Sequence, residues 1–240
     1  MDFSSLTPQI VLGIVAHPDD LDFGAGGTMA HFARQGAEVY YLILTDGCNG
    51  TTDRTMTGDK LVKQRCTEQR NACDILGVKD VFFCKYPDGN LENTRDVRHD
   101  IVKAIRQVKP DVVITWDPSV LYSAKWQFIN HPDHRAAGQA ALDAVFPLAR
   151  DHMSFPDLLK QGYEPHKTAT VLLMNFNTQN YYVDISDLLD LKIRARAAHT
   201  TQLEGDNDVQ SLLTEFAEEA GKACGARYAE GFVRVDIHNM

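Results

Sequence analysis

The feature that most constrains this chain is a series of short, unbroken apolar runs at 10–16 (IVLGIVA), 38–44 (EVYYLIL), 81–84 and 111–116 (DVVITW). A strand with one wet face alternates apolar and polar residues. These runs do not, so they read as parallel strands buried on both faces. Between them lie stretches of helical character: 28–34 with a stop at Gly36, 60–76 ended by Gly77, 95–108 stopped before Pro110, and 132–149. Strand–helix alternation predicts an α/β fold, a Rossmann-like three-layer α/β/α arrangement with a mostly parallel central sheet. After about residue 165 the pattern changes. Segments 168–175 and 181–185 are expected to be paired strands, followed by helices over 186–202 and from 209 to about 222. With 240 residues, no repeat and no low-complexity linker, the expectation is one domain over 1–240, a core at 8–150 with 165–240 packed on it.

The formal charge of −9 argues against nucleic acid or an anionic membrane as partner, while leaving room for a locally basic pocket. The five cysteines, Cys48, Cys66, Cys73, Cys84 and Cys224, are odd in number and lack CxxC spacing. That disfavours a disulfide framework or a cysteine metal site and fits a reducing compartment. The segment MDFSSLTPQI has no basic leader and no long apolar stretch, and 10–16 is far shorter than the ~20 residues of a membrane span. A cytoplasmic protein without a membrane span is expected.

In an open parallel sheet, ligands bind beyond the carboxyl ends of the strands. Beyond the first run lies Ala16-His17-Pro18-Asp19-Asp20, and after the fourth comes Asn130-His131-Pro132-Asp133-His134. If the two strands are neighbours, His17, Asp19, Asp20, His131 and His134 come within reach of one another. Two histidines and a carboxylate, with a position open to water, make a catalytic zinc site, and a carboxylate outside the ligand set can take a proton from water acidified by the metal. Either motif alone is weak. The pair, each at the end of an expected central strand, points to function. Spacing does not separate the roles of Asp19 and Asp20, or of His131 and His134.

AHPDDLDFGAGGT at 16–28 together with NHPDHRAAG at 130–138 resembles the PIG-L / LmbE-like family of metal-dependent N-acetylglucosamine-type deacetylases. Weaker landmarks extend the likeness: TDG at 45–47, Arg65 with Glu68, Ala72 with LG at 76–77, PDG at 87–89, Lys192 with HTTQ at 199–202, and YAEGF at 228–232. The resemblance implies that His17, Asp20 and His134 bind Zn2+, that Asp19 is the general base, that His131 stabilises the oxyanion, and that Asp133 orients His131 and favours its charged form. The family often has Glu two residues after the second Asp, where this chain has Asp22. The implied reaction is removal of an acetyl group from an N-acetylated amino sugar or its conjugate, and the family resemblance also admits a small homo-oligomer. Two other readings share the residues. A His/Asp/His set also serves non-haem iron(II) oxygenases, although the adjacent second carboxylate and the α/β pattern argue against one. A non-catalytic sugar-binding module would have no need of Asp19 beside a metal.

Several further residues are candidates for substrate contact. The long polar loop 46–59 carries Arg54, and Arg65 follows it; both suit a sugar or an anionic group. In 117–130, Trp126, Tyr122 and Phe128 suit the faces of a sugar ring, and Asp117 is a candidate partner for a site residue. The family pattern places His199 near the site. Gly24, Gly26 and Gly27 do not form GxGxxG, so close helix–strand packing is expected there rather than dinucleotide binding. Cys48 is expected to be inert, and His31, His99, His152, His166 and His238 have no evident partners in the sequence.

Overall fold

The computed structural model describes residues 6–203 and 209–238. Among the described residues, seven strands form one sheet, joined in the order β3-β2-β1-β4-β7-β9-β8. They are β1 (Ile10–Val15), β2 (Glu38–Thr45), β3 (Asp80–Tyr86), β4 (Val112–Trp116), β7 (Thr170–Met174), β8 (Tyr181–Asp184) and β9 (Ala229–Asp236). A separate two-stranded hairpin, β5 (Tyr122–Ser123) with β6 (Phe128–Ile129), sits between β4 and the next helix. The helices are α1 (Asp20–Gly24), α2 (Gly26–Arg34), α3 (Gly58–Leu76), α4 (Arg95–Val108), α5 (Pro132–Asp143), α6 (Pro156–Lys160), α7 (Leu189–Ala197) and α8 (Val209–Cys224).

β1 is parallel to both β2 and β4, and β4 is parallel to β7. Side chains alternate across the sheet, so each central strand feeds two cores. Val11 and Val15 join Met29, Phe32, Leu76 and Leu189 on one face. Leu12 and Ile14 join Ile101, Ile105, Ala137 and Ala141 on the other. With both faces dry, no polar alternation survives in the sequence. From β1 the chain builds outward through β2 and β3, then returns to lay β4 on the other side of β1. That reversal leaves a crevice beyond the carboxyl ends of β1 and β4.

Two expectations about the later chain are corrected. β7 and β8 do not pair with each other; β9 lies between them, antiparallel to both. β9 has no clear signature in the sequence, because Glu230, Gly231, Arg234 and Asp236 interrupt its apolar character. The helix expected over 132–149 stops at Asp143 and gives way to a π turn, Ala144–Leu148, in which Phe146 leaves helical geometry beside Pro147. Proline has no N–H to continue the ladder. Gly77 ends α3 in the left-handed conformation at φ 78°. All five cysteines are free, and no helix among the described residues is long and apolar enough to cross a membrane.

Candidate active site

The loop after β1 makes one wall of the crevice. Asp19 stands at φ 88°, a left-handed conformation uncommon outside glycine and asparagine, just before α1 begins. Its N–H donates to Gln69 Oε1 of α3 at 2.9 Å. Turning the backbone here sends the two adjacent carboxylates different ways. Asp20 folds back, accepting the His17 N–H at 2.9 Å, and its other oxygen lies 3.0 Å from His134 Nε2. Asp19 stays at the edge of the pocket.

The loop into α5 makes the facing wall. His131 caps the helix, its Nδ1 accepting the Asp133 N–H at 3.2 Å. His134 stacks on Trp116 at the end of β4, with ring centroids 4.5 Å apart. Its Nδ1 meets Asn130 Oδ1 at 3.0 Å, which leaves Nε2 facing Asp20. α5 approaches β4 closely: a Cβ on Gly138 would lie 2.2 Å from the Trp116 carbonyl oxygen, so only glycine fits.

His17 lies between the walls, its Nδ1 3.6 Å from Asp20 and its Nε2 3.1 Å from Asp88 and 3.3 Å from Asp133. Burial alone would lower the His17 pKa, but hydrogen bonding and attraction from Asp20, then Asp88, push it up to about 10. Asp20 goes the opposite way. Burial would raise it, and His134 and His17 hold it well below the usual carboxylate range. Three buried carboxylates, Asp20, Asp88 and Asp133, thus surround one imidazole, a field that demands positive charge.

Among the described residues, two overlapping groups have ligand atoms close enough to share a metal ion: His17, His131 and His134; and His17, Asp88 and Asp133. The carboxylates of the second group have other bonds. Asp133 accepts the N–H groups of Gly89 and Leu91, at 2.7 and 3.2 Å, and Asp88 accepts that of Asn49 at 3.1 Å. They orient His17 as carboxylates behind metal-bound imidazoles do. Asp20 lies against two histidines of the first group, His17 and His134. Each ring nitrogen beside Asp20 belongs to an imidazole whose other nitrogen is already held, by Asp88 and Asp133 or by Asn130.

The pocket beside these groups has a volume of about 340 Å³. Its polar end is Asp19, Asp20, Asn130, His131, His134 and Arg196. Its apolar end includes Phe23, Trp126, Phe128, Phe176 and Phe216. The hairpin β5–β6 covers this end. It is tied off at its base, where Asn130 N–H donates to Leu121 O and Asn130 Nδ2 to Val120 O, both at 2.9 Å.

The structure therefore brings together His17, Asp19, Asp20, His131, His134 and Trp126. Other expectations are corrected. The Asp133 carboxylate holds His17, and His131 is oriented by the Asp133 backbone instead. Burial, then the charges of His17 and His134, lower the His131 pKa, while the charge of Asp133 pulls it the other way, toward the charged ring, as expected. Arg65 is buried and donates to the carbonyls of Pro18, Gly47 and Asn49, and does not line the pocket. Arg54 is exposed and also outside it. His199 is fully buried, its Nε2 2.7 Å from Asp22, which also accepts from Tyr41 and Gln69. Asp22 thus braces the interior, and His199 cannot meet a ligand. Tyr122 is exposed outside the pocket, and Asp117 accepts from Asn175 and Ser119, away from the histidines. In the first turn of α2 the N–H groups of Gly27 and Thr28 donate to Glu230, so a carboxylate already occupies that helix end.

Sequence reasoning missed Asp88, Asn130, Trp116, Gln69 and Arg196. Asp88 lies in the PDG landmark, and Asn130 precedes His134 by one helical turn; both are legible as motif letters without a role. His99 has partners too, Asp100 and Asp157.

Known proteins resemble this chain in sequence and in fold. The family model described as PIG-L, GlcNAc-PI de-N-acetylase, matches residues 12–145. Diacetylchitobiose deacetylase of Thermococcus kodakarensis is 39% identical over 92% of this chain and 81% of its own length. A probable N-acetyl-alpha-D-glucosaminyl L-malate deacetylase 2 of Bacillus anthracis is 31% identical over 87% of each chain. The solved structure of N,N'-diacetylchitobiose deacetylase from Pyrococcus horikoshii, with its inhibitor MPG, superposes with a TM-score of 0.87 at 34% identity, covering 95% of this chain and 84% of that one.

Proposed function

We propose that this chain, which belongs to the PIG-L family and is an N-deacetylase, hydrolyses the acetamide of an N-acetylglucosamine-type sugar such as diacetylchitobiose by a metal-assisted mechanism. The observation that carries the mechanism is the placement of Asp19 beside, but outside, the donors His17, Asp20 and His134 at the polar end of an aromatic pocket. Family membership sets aside the oxygenase and binding-only readings.

The two-nitrogen, one-oxygen donor set suits Zn2+. A metal ion held by His17, Asp20 and His134 would supply Lewis acidity and lower the pKa of a water. The chain's own residues do the rest. Asp19 takes the proton of the water as its oxygen adds to the carbonyl carbon. His131, neutral and carrying its proton on Nε2, donates to the oxygen on which negative charge develops. Asp19 then passes its proton to the sugar nitrogen as the C–N bond breaks, releasing acetate and the free amine. Asn130, Asp88 and Asp133 keep the imidazoles in the tautomers this requires. The aromatic end receives the apolar face of a sugar ring.

The test is acetate release from N-acetylglucosamine and N,N'-diacetylchitobiose by metal-stripped protein and by protein reloaded with Zn2+. Release only after reloading is expected. Full turnover by the stripped protein overturns the metal-assisted mechanism, and no release from either sugar overturns the substrate class.

A further inference from the structure

Two arginines approach the carboxylate of Asp19, one at each oxygen. Arg65 Nη2 lies 3.6 Å from Oδ1, and Arg196 Nη2 lies 3.5 Å from Oδ2. The two cations are not equivalent. Arg65 ties three backbone carbonyls together, those of Pro18, Gly47 and Asn49, and its position is explained without Asp19. Arg196, on α7, is 8% exposed and lines the pocket. Its Nε and Nη1 are buried without a hydrogen-bond partner, and Asp19 is its one ion-pair partner among the described residues.

That arrangement is expensive for a side chain whose task is packing. A guanidinium with buried, unpaired N–H groups carries a desolvation cost, and a well-packed apolar side chain in place of a buried ion pair is often as stable or more so. The neighbouring buried cation of α7, Lys192, shows the contrast. Its Nζ bonds Glu230, which also caps α2, so it has a structural task. Arg196 has no structural task of this kind. Among the described residues lining the pocket it is also the only arginine or lysine, so no neighbour can substitute for it.

We infer that Arg196 is a positioning residue for Asp19: with Arg65 on one oxygen and Arg196 on the other, the plane of the carboxylate is fixed toward the pocket. The backbone of Asp19 is already held by its left-handed turn and by Gln69. What remains free is rotation about the side-chain bonds. One cation alone would let the carboxylate swing toward Arg65, under the loop and away from the reacting amide. A second cation on the pocket side opposes that swing. The inference rests on the reading of Asp19 as the base.

The test uses Arg196→Met, Arg196→Lys, Asp19→Asn and the two double variants. kcat and KM are measured for acetate release from N,N'-diacetylchitobiose, with metal content and Tm for each protein. Arg196→Met is expected to lower kcat about 10- to 100-fold, as loss of orientation at a reacting group does, with KM changed less than about threefold. Metal content stays that of the parent, and Arg196→Lys recovers part of kcat, since a point charge replaces a planar fork. In the Asp19→Asn background neither Arg196 substitution lowers kcat further, because the group it positions no longer acts. A wild-type kcat in Arg196→Met, a loss confined to KM, or the same loss repeated in the Asp19→Asn background each overturns the inference. If the Met variant does not fold, the Lys variant and its double carry the same comparison. Normal turnover by Asp19→Asn overturns the base reading itself. Loss of turnover in Asp19→Asn with full kcat in Arg196→Met leaves the base standing and removes Arg196 alone.

Discussion

The two ends of the pocket are built by different means. At the polar end each group is held by directional contacts from other elements: His134 by Asn130 and Trp116, His17 by Asp88 and Asp133, Asp19 by Gln69. At the apolar end the rings pack on one another, Trp126 edge to face with Phe216 at 4.4 Å, Phe128 edge to face with Phe176 at 6.1 Å, and Phe176 stacked on Phe216 at 4.8 Å. The ring of Trp126 makes a single hydrogen bond there, from Nε1 to Phe176 O at 3.2 Å. Directional networks fail when one member is lost, because its partners stay buried and unpaired. Contact area declines in proportion to what is removed. The polar end should therefore respond to substitution almost as a switch, and the apolar end by degrees.

The most severe way to probe this contrast is His134→Ala. The variant should lose bound metal, and turnover should fall roughly 10³-fold or more, since metal assistance is worth several kcal/mol. Elemental analysis beside an acetate-release assay checks it; full metal occupancy would remove His134 from the donor set. A second probe is pH. In the metal-free protein His17 keeps its proton up to about pH 10. A metal must displace that proton, so affinity should rise with pH, by roughly tenfold per unit through the neutral range. Calorimetry in buffers of different ionisation enthalpy should show a proton released on metal binding; a pH-independent affinity would mean that His17 is not a ligand. The mildest probe is Trp126→Ala. It should raise KM about tenfold and leave metal content unchanged, in line with the ~1.5 kcal/mol scale of an aromatic contact. A collapse of kcat with intact KM would break the distinction between the two ends.

The same contrast decides what could be read from the sequence. Strands β1, β2 and β4 were legible because a strand buried on both faces leaves an unbroken apolar run; β3, at the edge of the sheet, is mostly half-buried and kept only the short run 81–84. β9 was not legible, since its pairing between β7 and β8 depends on distant partners. The motifs at 16–20 and 130–134 stood out because short histidine–carboxylate clusters at strand ends are unusual. Arg196 was hidden for the opposite reason. α7 has no apolar stripe, because it turns two cations, Lys192 and Arg196, inward. A charge run normally reads as a solvated face, and only the fold reveals Glu230 and Asp19 waiting for them. His199 misled in a similar way: a family landmark close to the site in space proved to be a brace for Asp22, fully enclosed.

The knot at the foot of the β5–β6 hairpin has a consequence for how such enzymes diversify. Asn130 closes the hairpin onto Val120 and Leu121 while also fixing His134. Beyond that point the segment 121–129 is tied to the rest of the fold by side chains, through Trp126 to Phe176, Asn177 to the Tyr122 carbonyl and Lys125 to Glu219. Lengthening a closed loop costs little, about 0.6 kcal/mol per doubling. New reach over the sugar can be tried there without disturbing the imidazole one turn away. The same asparagine separates the part of the enzyme that is free to vary from the part that must stay still.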